Sequence, residues 1–553
     1  MGMSRRQVLR LGAAGSAAVL LGTSAVSSAR LRAPRWVGGY PFSLGVASGD
    51  PLPDGVVLWT RLAPDPLAPD GHGGMAWAPV SVDYEVALDE NFRQVVVRGT
   101  AVATRELAHS VHPEVRGLEP DHWYFYRFRA GSEISPIGRT RTAPAAGQAV
   151  ARMRFAFASC QSWSSGYFTA YEHMSREDLD LVVHLGDYIY EKSWVHGREG
   201  MAAHPDITAE AVDLADYRQR FAQVKADPQL RAAHAAFPWL TTMDDHEIAN
   251  NWAGESSGVA FDIYRIPALF RRRKAAAFQA MYEHQPLRIA QMPSGPNILL
   301  HRRYRFGDLA EITMLDTRSY RSALACSDGN PVAECADRYA ADRTILGRRQ
   351  RNWLIDGLID SPARWQVLGN QVSMSRTDTD PGPATVMGTD SWDGYIADRN
   401  TVLGTAAERG VPNLVVITGD RHEHCAADLR RDHDDLTSPV VASEFIGTSI
   451  TSGGNGVDLS DSGRRLLAAN PDLKFTNNQR GYVRVEIDHQ LWRTDFRVVP
   501  YVRRPGAPVH TRATFVVQDR VPGVIEAGGS QAIPDPDPPD SAALPGNADP
   551  HPR

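Results

Sequence analysis

The rhythm of apolar and polar positions changes near residue 150. Between about Tyr40 and Pro144 the apolar runs are short and separated by Pro, Gly and Asp. Segments 55–61, 82–88, 94–102 and 122–129 read as strands, and Val82-Asp83-Tyr84-Glu85-Val86 alternates with the period of two of a half-buried strand. From Met153 onward, apolar runs at 155–158, 181–185, 239–243, 312–315, 365–368 and 414–418 alternate with helical stretches such as 214–221 and 274–283. Continuous apolar strands between helices predict an α/β layout with sheets buried on both faces. In such sheets chemistry gathers beyond the carboxyl ends of strands.

Gly117-Leu118-Glu119-Pro120 leads into Trp123-Tyr124-Phe125-Tyr126, which resembles the tyrosine corner of fibronectin-type sandwiches. The small, polar segment 143–150 reads as a linker. The end, 527–553, is rich in Pro and Asp and predicts a disordered tail. At the start, Ser4-Arg5-Arg6-Gln7-Val8-Leu9 precedes a weakly apolar, Gly/Ala-rich stretch, and Ser27-Ser28-Ala29 gives a small-residue cleavage pattern. This reads as a twin-arginine export signal over 1–29. Glycines interrupt its apolar run, and no other run reaches the roughly 20 residues of a membrane span. The reading implies a periplasmic, cell-wall-associated or extracellular protein with no transmembrane segment in its mature form.

Composition adds three exclusions. With 553 residues, 42% hydrophobic and 22% charged, the chain is globular and too long for one ordinary domain. The formal net charge is -6, and removing the leader's three arginines takes it to -9. Nothing global favours nucleic acid, and no specific nucleic-acid binding is expected. Four cysteines over this length do not make a disulfide scaffold. Cys326 and Cys335, nine apart in a polar loop, are expected to form a local disulfide if the protein is exported.

The candidate chemistry lies where the strands stop. The run 179–185 ends in Gly186-Asp187-Tyr188-Ile189-Tyr190-Glu191, with Asp187 and Tyr190 placed to share a face on a first helical turn. A carboxylate and a phenolate are hard oxygen ligands. The strand at 239–243 ends in Asp244-Asp245-His246-Glu247, followed by Asn250-Asn251. Adjacent carboxylates at a buried strand end are costly unless paired or metal-bound. The strand at 414–418 ends in Gly419-Asp420-Arg421-His422-Glu423-His424, where Asp420 and His422 share a face in extended chain and Arg421 suits an anion. A fourth, 155–158, ends at Ser159-Cys160-Gln161. Individually, Asp187 reads as a cap, Cys160 as a small buried hydrophobe or a thiol nucleophile, His424 as a packed histidine, and Cys425 as packing or a ligand. Four strands of one layout ending this way point to oxygen, nitrogen and sulfur ligands for two or more metals, which activate water and neutralise phosphate charge.

These segments resemble the PhoD-like alkaline phosphatase/phosphodiesterase family of the calcineurin-like metallophosphatase superfamily, in order and spacing. Supporting stretches match too: Gly45-Val46-Ala47-Ser48-Gly49-Asp50-Pro51, Asp216-Tyr217-Arg218-Gln219-Arg220-Phe221, Leu315-Asp316-Thr317-Arg318-Ser319-Tyr320-Arg321 and the segment 346–354. The resemblance spans about Tyr40 to Val499. It implies a fibronectin/Ig-like all-β domain at 40–147 and a metallophosphatase-like four-layer α/β/β/α sandwich at 152–526.

The same resemblance implies an iron and calcium centre related to purple acid phosphatases, with one ferric ion and two calcium ions. Cys160, Tyr190 and His422 would hold the ferric ion, Asp187 would bridge metals, and Asp245 and Asp420 would serve as further ligands. Asn250 or Asn251 would complete a calcium shell, and calcium prefers six to eight oxygens. His246 stands where the superfamily keeps a phosphate-contacting histidine, while Arg421 either holds a substrate oxygen or points away. The implied activity is exported phosphoesterase chemistry, an in-line attack on phosphate mono- or diesters by a metal-activated hydroxide. Two alternatives stand beside it: a phosphodiesterase or phospholipase D-like enzyme with little monoesterase activity, and a non-catalytic exported binding protein.

Overall fold

A computed structural model describes residues 39–192, 209–258, 263–326 and 329–528. The leader read at 1–29 and the tail beyond residue 528 lie outside the described residues. Strands β1 (Val46–Leu52), β2 (Gly55–Arg61), β3 (Val80–Ala87), β4 (Val95–Ala103), β5 (Ser110–Val111), β6 (Glu114–Arg116), β7 (Trp123–Ala130), β8 (Glu133–Ile134) and β9 (Gly138–Arg141) come first. They are followed by β10 (Met153–Ala158), β11 (Leu181–His184), β12 (Pro238–Thr241), β13 (Arg302–Phe306), β14 (Ala310–Met314), β15 (Trp365–Asn370) and β16 (Leu414–Thr418). The last are β17 (His424–Arg430), β18 (Val440–Ile446), β19 (Leu473–Asn477), β20 (Arg480–Ile487), β21 (Leu491–Val499), β22 (His510–Gln518) and β23 (Val521–Glu526). The result is a mixed α/β fold.

The strands form three sheets. The largest runs β23-β22-β21-β20-β10-β11-β12-β1-β2-β5, with β6 beside β2; the second runs β13-β14-β15-β16-β18-β17-β19; the third runs β4-β3-β7-β8, with β9 beside β7. β10, β11, β12 and β1 are mutually parallel, as are β14, β15, β16 and β18. Parallel neighbours need crossovers: helices supply those from β10 to β11, β11 to β12, β14 to β15 and β15 to β16, while β17 carries the chain from β16 to β18.

The period of two decides what each face buries. Phe155, Phe157 and Val183 on the large sheet meet Ile312, Val367, Val415 and Ile417 on the second sheet in one core. The alternate residues Ala156, Ala158, Val182 and Trp239 turn to a core shared with helices Thr169–Met174, Leu214–Lys225, Pro228–Ala236 and Pro267–His284. On the second sheet, Leu368 and Val416 likewise turn to helices Gly347–Asp360 and Ile396–Glu408. Local signals set the helix starts: Asp213 and Asp216 form a reciprocal capping box, and Asp227 caps a helix with Pro228 in its first turn.

The N-terminal strands do not keep to themselves. β1 pairs in parallel with β12, so β1, β2, β5 and β6 extend the large sheet. Val46, Val56 and Leu58 then pack against Val82, Val86, Tyr124, Tyr126 and Phe128 of the third sheet. Tyr124 Oη accepts the Glu119 N–H at 2.9 Å, the bond expected of a tyrosine corner.

Candidate functional site

Three parallel strands of one sheet and one of the other deliver the predicted ligands. Past the end of β10, the Cys160 N–H donates to Gly186 O at 3.2 Å and the Gln161 N–H to Asp187 O at 3.0 Å. The parallel ladder thus outlasts the strands and sets Cys160 beside Asp187. Gly186 (φ +112°) permits the next step: a Cβ there would stand 2.5 Å from Asp244 N and Cβ, so only glycine lets the β11 and β12 exits meet. The candidate ligand residues then turn against their preference. Cys160 (φ 60°), Asp187 (55°), Asp420 (62°) and His422 (57°) all lie in the left-handed region. Each such residue costs of order 1–3 kcal/mol, which the surrounding contacts must offset. The first helical turn expected at Asp187 is therefore absent, because a left-handed residue cannot start one. Asp187 and Tyr190 meet all the same, with the Tyr190 hydroxyl donating to Asp187 Oδ2 at 2.9 Å.

Three groups of ligand atoms result, each within 4.8 Å of one another: Cys160, Asp187 and His422; Asp187, Asp245 and His246; and Asp244, Asp245 and Asp420. Asp187 belongs to the first two and Asp245 to the last two. Tyr190 Oη stands 3.2 Å from His422 Nε2 and 2.7 Å from Ser452 Oγ, so it joins the first group. His422 is aimed by its own carbonyl, which accepts from Arg480 Nη1 (2.8 Å), Thr448 Oγ1 (3.1 Å) and Asn478 Nδ2 (3.2 Å).

The electrostatics are those of a site short of cations. Burial raises Asp187 and Asp420 well above the carboxylate range, with neighbouring carboxylates adding to the effect. Burial and then Asp187 raise the Cys160 thiol and the Tyr190 phenol. Burial raises Asp244 to about 6 against the opposing pull of Arg318. Burial disfavours a charged His246, but Asp245, Glu191 and Asp187 outweigh it and hold the imidazole protonated. Asp244 Oδ2 and Asp245 Oδ1 are buried without a hydrogen-bond partner among the described residues. The phenol and the shared carboxylates with bare oxygens suit hard cations, the thiol and imidazole add softer donors, and the whole fits metal ions in more than one position.

Several residues escaped the sequence reading. Glu191 Oε2 lies 2.7 Å from His246 Nδ1, and its other oxygen accepts the Asn250 N–H at 2.8 Å. Glu247 Oε1 accepts the Tyr188 N–H at 2.6 Å, and Oε2 accepts those of Asp187 (3.2 Å) and Asp244 (2.8 Å), tying two exit loops together. Arg318 is fully buried, donating to Asp244 at 2.5 Å and Asp390 at 2.7 Å, with Asp245 at 3.8 Å. All three stand inside stretches already singled out, but only tertiary contacts reveal their partners.

Other expectations resolve individually. The Asn251 N–H donates to Asp245 Oδ2 at 2.7 Å, so the Asn250-Asn251 pair borders both the second and third groups. Arg421 pairs with Glu423 at 3.7 Å and, among the described residues, contacts no carboxylate of the cluster. His424 is packed against Phe496, and Cys425 sits near Thr476 in a small apolar cluster, so both are packing residues. Cys326 and Cys335 form a disulfide.

Known proteins resemble this chain over most of its length. The family model of the PhoD-like phosphatase matches residues 155–496, and that of the PhoD-like phosphatase N-terminal domain matches residues 27–144. Alkaline phosphatase D of Bacillus subtilis (strain 168) is 47% identical over 484 residues, covering 87% of this chain and 81% of the relative. A solved structure described as the structure of PhoD superposes with a TM-score of 0.85 at 45% identity, covering 90% of this chain and 94% of that one. With both family models matched in turn along the chain and a relative 47% identical over most of its length, the chain belongs to the PhoD-like phosphatase family.

Proposed function

We propose that this phosphoric ester hydrolase works on a mixed centre of one ferric ion and two calcium ions. The observation that carries the reading is the shared membership of Asp187 and Asp245 in adjoining ligand groups. Shared carboxylates make neighbouring cation sites, as in-line displacement at phosphorus requires. Cys160, Tyr190 and His422 are assigned to iron, with Asp187 bridging. Asp245, Asp420 and Asn250 or Asn251 are assigned to calcium, and Asp244 is an added candidate from its place in the third group. When bound, the metals would acidify a water molecule and neutralise charge on the phosphoryl oxygens.

The chain's own residues do the rest. Glu191 pins Nδ1 of a cationic His246, leaving Nε2 to donate to a phosphoryl oxygen. Arg318 tempers the repulsion among Asp244, Asp245 and Asp390, which keeps the acidic loops together. Arg421 remains a candidate for a peripheral substrate oxygen. With a net negative chain, an anionic ester is drawn in by the local field of the metals and these cations rather than by overall charge.

Residues 40–147 are read as a fibronectin-like domain and 152–526 as a metallophosphatase-like α/β/β/α sandwich, the helix-sheet-sheet-helix packing of the cores being what supports it. Export through the twin-arginine route, to the periplasm, cell wall or medium, is the reading for the leader.

Elemental analysis of the purified protein, with rates on an aryl phosphate and a bis-aryl phosphate, tests the whole. Iron and calcium bound, with turnover lost on chelation, is the expected result. A metal-replete protein inert on both esters would sink the enzyme reading. Cys160→Ala is expected to remove the visible thiolate-to-iron absorption and most turnover together; turnover surviving the loss of colour would reject the iron assignment. The ratio of the two rates decides between monoester and diester preference.

A further inference from the structure

The segment between Cys326 and Cys335 lies far from the strand ends in sequence, yet it reaches the acidic side of the cluster. Gly329 sits against Asn251 so closely that a Cβ there would collide with the Asn251 side-chain amide, and it would stand 3.3 Å from Asp390 Cβ. Its φ of +96° suits glycine alone. Gly329 and the residues after it are held from several directions. The disulfide closes the loop, Val332 and Met387 exchange backbone bonds at 3.1 and 3.4 Å, and the Thr389 N–H donates to Gly329 O at 3.2 Å. Arg338 adds bonds to the carbonyls of Val332 and Met387, both at 3.2 Å.

What the loop touches matters more. Asn251 has a left-handed backbone (φ 54°) and donates its N–H to Asp245 Oδ2. Asp390 Oδ1 accepts from Arg318 Nη1 and from Arg321 Nη2, and Arg318 carries the contact on to Asp244. One face of a disulfide-closed loop therefore backs both an amide beside the Asp245 ligand group and the carboxylate that orients Arg318.

We propose that Gly329 is a positioning residue for Asn251, and that the Cys326–Cys335 disulfide keeps Gly329 in place and so sets the affinity of the acidic half of the centre for calcium. The iron half, built on Cys160, Tyr190 and His422, touches none of this loop among the described contacts. The proposal rests on the assignment of calcium to the Asp245 and Asp420 side. It makes a split that a merely stabilising disulfide would not: one metal loosened, the other retained.

The test uses the full-length protein in three forms: wild type, the double variant Cys326→Ser/Cys335→Ser, and Gly329→Ala. Calcium is titrated into chelator-treated protein and followed by the rise in thermal midpoint, while iron per chain is measured separately. Both variants are expected to need about tenfold or more calcium for half of the rise, the usual scale for losing a ligand-orienting contact, with iron unchanged. The glycine variant retains the disulfide, so it reads the positioning contact even if the double variant folds poorly. Unchanged calcium midpoints in both variants would overturn the proposal, as would a parallel loss of iron. A wild-type protein indifferent to calcium would instead reject the calcium assignment above, and this proposal with it.

Discussion

Two buried groups of charge follow opposite rules. Where the N-terminal strands meet the rest of the molecule, each carboxylate has its own guanidinium. Asp50 accepts from Arg302 at 3.0 and 3.2 Å, and Glu283 takes a two-pronged grip from Arg218 at 2.6 and 2.7 Å. At the strand ends, Asp187, Asp244, Asp245 and Asp420 gather with a thiol and a phenol, with Arg318 and His246 as the cations against them among the described contacts. A chain able to neutralise buried charge in one place has left it unneutralised in another. The deficit is where external cations belong.

The contrast is broken most severely at Asp187, the carboxylate shared by two ligand groups. Asp187→Ala is expected to lower turnover by about 10³ or more and to cost iron and calcium together, read by elemental analysis. Loss of one metal alone would show that Asp187 does not link them. The paired region should fail differently. Removing one partner with Glu283→Ala is expected to cost about 3–5 kcal/mol of stability while metal per folded chain stays unchanged. Arg218→Met/Glu283→Leu should recover most of it, and denaturant unfolding of the three proteins checks the pattern.

The paired region was also the harder one to see beforehand. The strand-end residues were legible because Gly-Asp, Asp-Asp-His and Asp-Arg-His each stand directly after an apolar run. Arg218 and Arg302 lie in a helix and a strand with partners 65 and 252 positions away, and no local spacing pairs them; Arg318, inside the cluster, reaches a partner 74 positions away and was hidden in the same way. The same distance hid the pairing of β1 with β12, which makes β1, β2, β5 and β6 part of the large sheet. The helical turn expected at Asp187 followed local spacing, and a tertiary demand for a left-handed ligand turn overrode it.

A finer cut separates charge from geometry within the site. Glu191→Gln retains a hydrogen-bonding group for His246 but not the negative charge. It is expected to lower turnover about 10- to 100-fold with both metals retained, and to move the pH at which His246 loses its proton downward. A pH profile identical to wild type would rule out the pairing as a source of that charge.

The smallest effect is a pH-dependent gap in stability. Asp187 and Asp420 have raised pKa values in the metal-free fold. The stability linked to their protons is present below the ordinary carboxylate value and is lost as pH rises through the folded one. The raised His246 acts in the same direction. Bound cations instead require the carboxylates ionised. The thermal midpoint of loaded protein minus that of chelated protein is therefore expected to widen from pH 5 to pH 8. A constant gap in calorimetry would mean these groups do not titrate in the metal-free state.

One register carries a consequence for how the molecule is made. β10, which leads to Cys160, lies between β11 and β20, with Met153 opposite Ile487. Until synthesis reaches that last partner, β10 is an open edge, and the turn that aims the thiol is held from one side only. Assembly is thus closed from the far end of the chain: the thiol side of the cluster waits for nearly the whole polypeptide, and a half-made protein lacks the completed arrangement of Cys160, Asp187 and His422 that could hold a metal ion.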